Sequence, residues 1–145
     1  MLGLAMILFA LAQQPPSSVP PASWVTIAQG SQSNIDARQE AVVRTAAEWQ
    51  ALWRSHGGRD AVPAVDFATD MVVAVFAGSY STGGYQLEIV SARREGKELV
   101  VEYVERRPAA GAILTQVVTF PFHIARVPRH EGLVTFRRVA QSGGQ

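Results

Sequence analysis

The side chains able to do chemistry are few and scattered along the chain. The histidines are His56, His123 and His130, and no two of them have the spacing of a helical metal pair such as HExxH. His123 stands between Phe122 and Ile124 in a strand-like run, which reads as a cross-strand surface position. Ser79 and Ser81 lack the Gly-x-Ser-x-Gly turn that a nucleophile elbow requires between a strand and a helix. Glu102 and Glu105 are three apart in a strand, so pleating sends them to opposite faces and they cannot work as an acid–base pair. Asp66 precedes Phe67 at a strand entrance, where an aspartate bonds nearby backbone N–H groups. The chain has no cysteine, which excludes disulfides, thiolate catalysis and cysteine zinc sites. These residues imply no enzyme, no cofactor and no metal.

The remaining chemistry is recognition. Residues 78–84 read GSYSTGG, a polar loop with an aromatic in it. Glycine at 83 and 84 lets the backbone take positive φ or approach a partner closely. Loops on a rigid sheet are the usual sites of binding. Tyr80, Thr82, Gly83, Gly84 and Tyr85 are therefore candidate partner contacts, with Tyr80 preferred as an exposed tyrosine. The alternative for Tyr85 is inward packing at the start of a strand. A second candidate loop, residues 106–111, contributes Arg107 and Pro108.

Charge argues against two classes of partner. The formal net charge is +1 over 145 residues, too small to recruit nucleic acid or an anionic membrane. The pairs Arg93-Arg94, Arg106-Arg107 and Arg137-Arg138 lie near acids or strand ends and read as solvated edges. Residues 1–12, MLGLAMILFALA, form an apolar run too short to span a bilayer, ending in a small-x-small site for signal peptidase. No Lys or Arg precedes it. Residues 13–23, QQPPSSVPPAS, carry four prolines and no charge and read as a tether. The expectation is a signal peptide (1–12), a linker (13–23), one domain (24–140) and a polar tail (141–145). Such a chain is exported, to the periplasm or outside the cell, and keeps no membrane span after cleavage.

The elements that must carry these loops follow from local signals. Thr45-Ala46-Ala47-Glu48 is a capping box, and Trp49, Leu52 and Trp53 make one apolar stripe before Gly57-Gly58. Trp49 and Trp53 are expected to dock this helix on a sheet. Arg54 and His56 fall in its last turn, where the helix dipole favours positive charge. Alternation predicts strands at 24–27 and 40–44. Residues 71–76, MVVAVF, are apolar on both faces and predict a central strand. Residues 85–89 and 99–104 predict a hairpin across Arg94-Glu95-Gly96-Lys97. Residues 115–127 predict a long strand with an edge or bulge at Pro121, and residues 133–139 a closing strand. The fold class is α+β, a mostly antiparallel sheet with one main helix packed on it.

Three segments in this order carry a family resemblance. They are Glu48-Trp49-Gln50-Ala51-Leu52-Trp53 with His56; Pro63-Ala64-Val65-Asp66-Phe67 running into the strand that ends at Ala77-Gly78; and Ser81-Thr82-Gly83-Gly84-Tyr85. With the later Thr119-Phe120-Pro121, the stretch from Ser33 to Phe136 resembles the C-terminal domain of the PrcB family, an accessory subunit of a surface protease complex. The resemblance implies an exported, non-catalytic domain that associates with a protease and stabilises it. This chain lacks the lipidated cysteine of the lipoprotein form. A fainter similarity is to chagasin-like cysteine-protease inhibitors, through Thr82-Gly83-Gly84-Tyr85 and Arg107-Pro108, although those proteins lack the tryptophan helix. Direct inhibition is thus one alternative. A small-ligand or enzymatic pocket lined by Trp49 or Trp53 is another.

Overall fold

The structure is a computed structural model that describes residues 24–141. The signal peptide, the linker and most of the tail expected from the sequence lie outside the described residues. The elements in chain order are β1 (Val25–Gly30), β2 (Gln39–Val43), α1 (Ala46–His56), β3 (Asp70–Phe76), β4 (Gln86–Glu95), β5 (Glu98–Arg106), β6 (Phe122–Pro128) and β7 (Val134–Val139). The fold is α+β and mostly sheet.

Strands β1, β6, β3 and β2 form an antiparallel sheet in that order, and β4, β5 and β7 form a second sheet. The two-faced pattern of β3 has a direct cause. Val72, Ala74 and Phe76 point to a core shared with Trp49 and Trp53 of α1, while Met71, Val73 and Val75 point to a core shared with Leu87, Ile89, Leu99 and Val101 of the second sheet. The four-stranded sheet is therefore the middle of three layers, covered by α1 on one face and the second sheet on the other.

The helix forms where the local signals put it. The Glu48 N–H donates to Thr45 Oγ1 at 3.2 Å, and Gly57 closes the helix in the left-handed region at φ 94°. The Thr45 hydroxyl also donates to Glu48 Oε1 at 2.9 Å. The indole of Trp49 donates to the Pro63 carbonyl at 2.8 Å and that of Trp53 to the Asp60 carbonyl at 3.1 Å, so both bury their apolar surface with the polar atom satisfied.

Three details add to or correct the expected pattern. First, β7 joins its sheet as a parallel neighbour of β5. After β5 the chain crosses to the first sheet as β6 and then returns, and a crossover brings a strand back in the same direction. Second, Pro121 marks neither an edge nor a bulge: β6 starts one residue after it and lies between β1 and β3. Proline is tolerated there because the strand entrance needs no ladder donor. The ladder irregularities fall instead in β1, between Thr26 and Ala28, and in β4, between Ile89 and Ser91. Third, residues 115–118 are loop; only Thr119 and Phe120 make isolated bridges, to Tyr80 and Gln32.

Candidate functional site

Two loops leave the same end of the sheets and meet. One runs from the end of β3 to the start of β4 and holds residues 78–85; the other joins β5 to β6 and holds residues 107–121. Tyr80 and Thr119 exchange both backbone bonds at 2.9 Å. The Thr119 hydroxyl donates to the Thr82 carbonyl at 2.9 Å, and the Gly83 N–H donates to the Thr115 carbonyl at 2.8 Å. Gly84 has φ 94°, and a Cβ placed there would stand 2.9 Å from Pro108 Cβ and 3.1 Å from Leu114 Cδ2. Only glycine gives both this conformation and this closeness. The two loops are thus bonded into one body.

Among the sequence-predicted contacts, the structure brings Thr82, Gly83, Gly84 and Pro108 together in this body. Tyr80 and Tyr85 stack with ring centroids 3.9 Å apart and planes at 8°. Tyr80 is half-buried against the inter-sheet core rather than exposed, and Tyr85 is half-buried beside it. Arg107 belongs elsewhere. It lines a shallow hollow of about 210 Å³ with Glu105, Arg138 and Gln141, and its N–H donates to Gln141 Oε1 at 3.1 Å. Asp66 and Phe67 lie away from the loops and hold architecture. Asp66 Oδ1 accepts from the Ala68 N–H at 3.0 Å, and Arg129 Nη1 donates to the carbonyls of Phe67 at 2.7 Å and Arg44 at 3.0 Å.

Sequence reasoning missed the most exposed apolar side chains of the site. Ile113 is fully exposed, and Val117 and Val118 are about half exposed, all on the 107–121 loop. The signal was present: residues 108–122 contain no charge. Their β-branched composition reads as strand, which hid it.

Beside the loops an open cleft of about 420 Å³ runs between residues 29–31 at the end of β1 and residues 83–87 at the start of β4. Its lining carries no charged residue. Charge is balanced elsewhere. Arg106 pairs with Glu88 at 2.9 Å, Arg93 with Glu102 at 2.6 Å, and Arg138 and Arg38 both pair with Glu105. The arginine pairs are solvated edges, as their sequence context suggests.

The histidines assemble no reactive group. His123 is buried between the two sheets, not on a surface, because β6 has both faces covered. Its Nδ1 accepts from the Ile89 N–H at 2.8 Å, so Nε2 carries the proton and donates to Thr26 Oγ1 at 2.8 Å. Burial lowers its pKa to about 4. His56 is also buried, with Nδ1 3.0 Å from Ser33 Oγ, and burial lowers its pKa. It packs against Phe122 and does not serve as an exposed cation at the helix end. Among the described residues no three His, Cys, Asp or Glu side chains converge on a metal site, and no helix is long and apolar enough to cross a membrane. The indoles of Trp49 and Trp53 are buried and border neither the cleft nor the hollow.

The fold and this site define a small α/β/β domain that displays a two-loop apolar face beside an uncharged cleft. Residues 71–128 match the family model described as PrcB C-terminal, which bears out over that stretch the resemblance read from the sequence. The match runs from β3 to β6 and contains both loops; the tryptophan helix and Asp66-Phe67 lie outside it. No curated protein and no solved structure gives a significant match to the chain.

Proposed function

We propose that this chain is an exported, non-catalytic accessory domain that binds and stabilises a secreted or surface protease through the face formed by residues 78–85 and 107–121. The observation that carries the reading is the exposure of Ile113, Val117 and Val118 on a loop that is bonded in place rather than free. A loop anchored in this way loses little conformational entropy when it binds, so its apolar side chains can contribute to affinity. The PrcB C-terminal match supports a protein partner, and residues 1–12 support export. The test is affinity purification of the tagged chain from its source organism beside an Ile113→Asp, Val118→Asp variant. The proposal expects a protease with the parent chain and at least about tenfold less with the variant, the effect of losing one buried apolar anchor. Recovery of no protease, or equal recovery by both chains, would overturn it.

Direct inhibition is a second reading, favoured by the contact between Gly84 and Pro108, which joins the two chagasin-like segments in one body. It predicts inhibition of papain-like or subtilisin-like proteases by the purified chain at micromolar concentration. Full residual activity of both classes rejects it.

A further inference from the structure

Two arginine pairs stand where β5 and β7 end, and their members face different ways, as neighbours in a strand do. Arg106 pairs with Glu88 at 2.9 Å and Arg137 with Glu95 at 3.7 Å. Arg138 turns instead to Glu105, and with Arg107 it lines the hollow of about 210 Å³. The cause is the parallel pairing of β5 and β7, which sets Tyr103 opposite Arg138 and Val104 opposite Val139. Both strands therefore end on the same side of the molecule, and the residues that follow them leave the sheet together. The bond from the Arg107 N–H to Gln141 Oε1 ties the two exits. The bonding inventory of the hollow is one-sided. Glu105 is its one acid, and both carboxylate oxygens are taken: Oε2 accepts from Arg138 Nη1 at 3.0 Å and Oε1 accepts from Arg38. Gln141 Oε1 is taken as well. Donors remain. They are the Arg107 guanidinium, which has no acid partner among the described residues, the unspent N–H groups of Arg138, and Gln141 Nε2.

We propose that this hollow takes a carboxylate, the side chain of an aspartate or glutamate that the protein partner presents beside the apolar loop. A guanidinium is a planar fork of donors that meets a carboxylate with two parallel, charge-assisted bonds. Glu105 holds Arg138 in place, so that arginine is positioned before the ligand arrives. The lining carries two arginines and one glutamate, with Arg38 as a further cation on that glutamate, so the local balance is positive. The hollow also adjoins the docking face proposed above. Arg107 precedes Pro108, which lies against Gly84 in the two-loop body, and residues 108–122 carry no charge. The arginines are thus the charged border of an apolar contact, the place where complementary charge steers encounter and fixes register. This inference rests on that face for the placing of the partner, whereas the anion site itself can be probed without it.

The probe is glutamate with both termini blocked, whose only charge is its side-chain carboxylate. Blocked glutamine and inorganic phosphate are the comparisons. Each is titrated into the whole isotope-labelled chain, and the side-chain N–H resonances of Arg107, Arg138 and Gln141 are followed. Blocked glutamate should shift them saturably and blocked glutamine should not. Arg107→Gln should weaken glutamate binding roughly tenfold, the effect of losing a charge-assisted bond. Within the described chain only the backbone N–H of Arg107 is bonded, so this variant should unfold at the parent temperature. No shifts, equal shifts with blocked glutamine, or parent affinity in Arg107→Gln would overturn the site. Phosphate binding without glutamate binding would overturn the carboxylate assignment. In affinity purification from the source organism, Arg107→Glu should lower recovery of the partner at least about tenfold, and added salt should weaken capture by the parent chain more than by Arg107→Gln. Loss of capture by Arg107→Glu, with none by the Ile113→Asp, Val118→Asp variant, would reject the docking face and keep the hollow. Loss by the aspartate variant, with none by Arg107→Glu, would reject the hollow and keep the face.

Discussion

His123 shows how one residue can tie a fold together and tune its stability. Its ring joins the sheets by accepting from Ile89 of one and donating to Thr26 of the other. Protonation would set a second N–H against the Ile89 N–H and charge a buried ring. With a native pKa of about 4 against an ordinary 6.5, both states are neutral above pH 6.5 and the contribution is complete. As pH falls from 6.5 to 4 only the unfolded chain takes up the proton, so native stability falls by up to about 3 kcal/mol and then levels off. His56, lowered by burial, acts in the same direction. Urea unfolding between pH 7.5 and 4 should show this loss, and His123→Gln, which cannot titrate, should flatten the acid limb while lowering stability at neutral pH. A free energy unchanged over that range would refute the role given to the ring.

At the scale of the element, α1 and the paired loops make separate predictions. Trp53→Ala removes a side chain that is 8% exposed and should cost about 3–5 kcal/mol by thermal or chemical unfolding. Thr45→Ala should cost about 1 kcal/mol through loss of the cap. Gly84→Ala forces a Cβ into the left-handed region and onto Pro108, and should cost roughly 1–3 kcal/mol while loosening the loop pair, seen as faster amide exchange at Gly83 and Thr119. The helix was legible in the sequence because its signals are local: a hydroxyl at the cap, a stripe at helical spacing, glycine after the last turn. β3 was legible because burial on both faces removes alternation. The parallel seat of β7, the central seat of β6 and the burial of His123 were not legible. Each depends on which strand becomes a neighbour, a choice made by contacts far apart in sequence. The exposed aliphatics of the site were hidden for a related reason, since Val117-Val118-Thr119-Phe120 has strand composition but is bonded to residues 31–33 and 80 through isolated bridges rather than a ladder.

The whole molecule is a covered sheet with one working end. α1 and the second sheet shield the faces of the central strands, and the proposed binding face, the 78–85 and 107–121 loops, lies beyond that covered core. Ile113→Asp touches no core residue and should leave unfolding free energy within about 0.5 kcal/mol of the parent. A loss of partner binding in this variant then reports the interface and not the fold. The most direct measurement replaces Ile113 with a photoreactive amino acid in the source organism, with Leu133, also exposed but outside both loops, as the control position. The account predicts a covalent adduct between residue 113 and a secreted or surface protease, and none from residue 133. Adducts with unrelated proteins at both positions, or no adduct at 113, would contradict it.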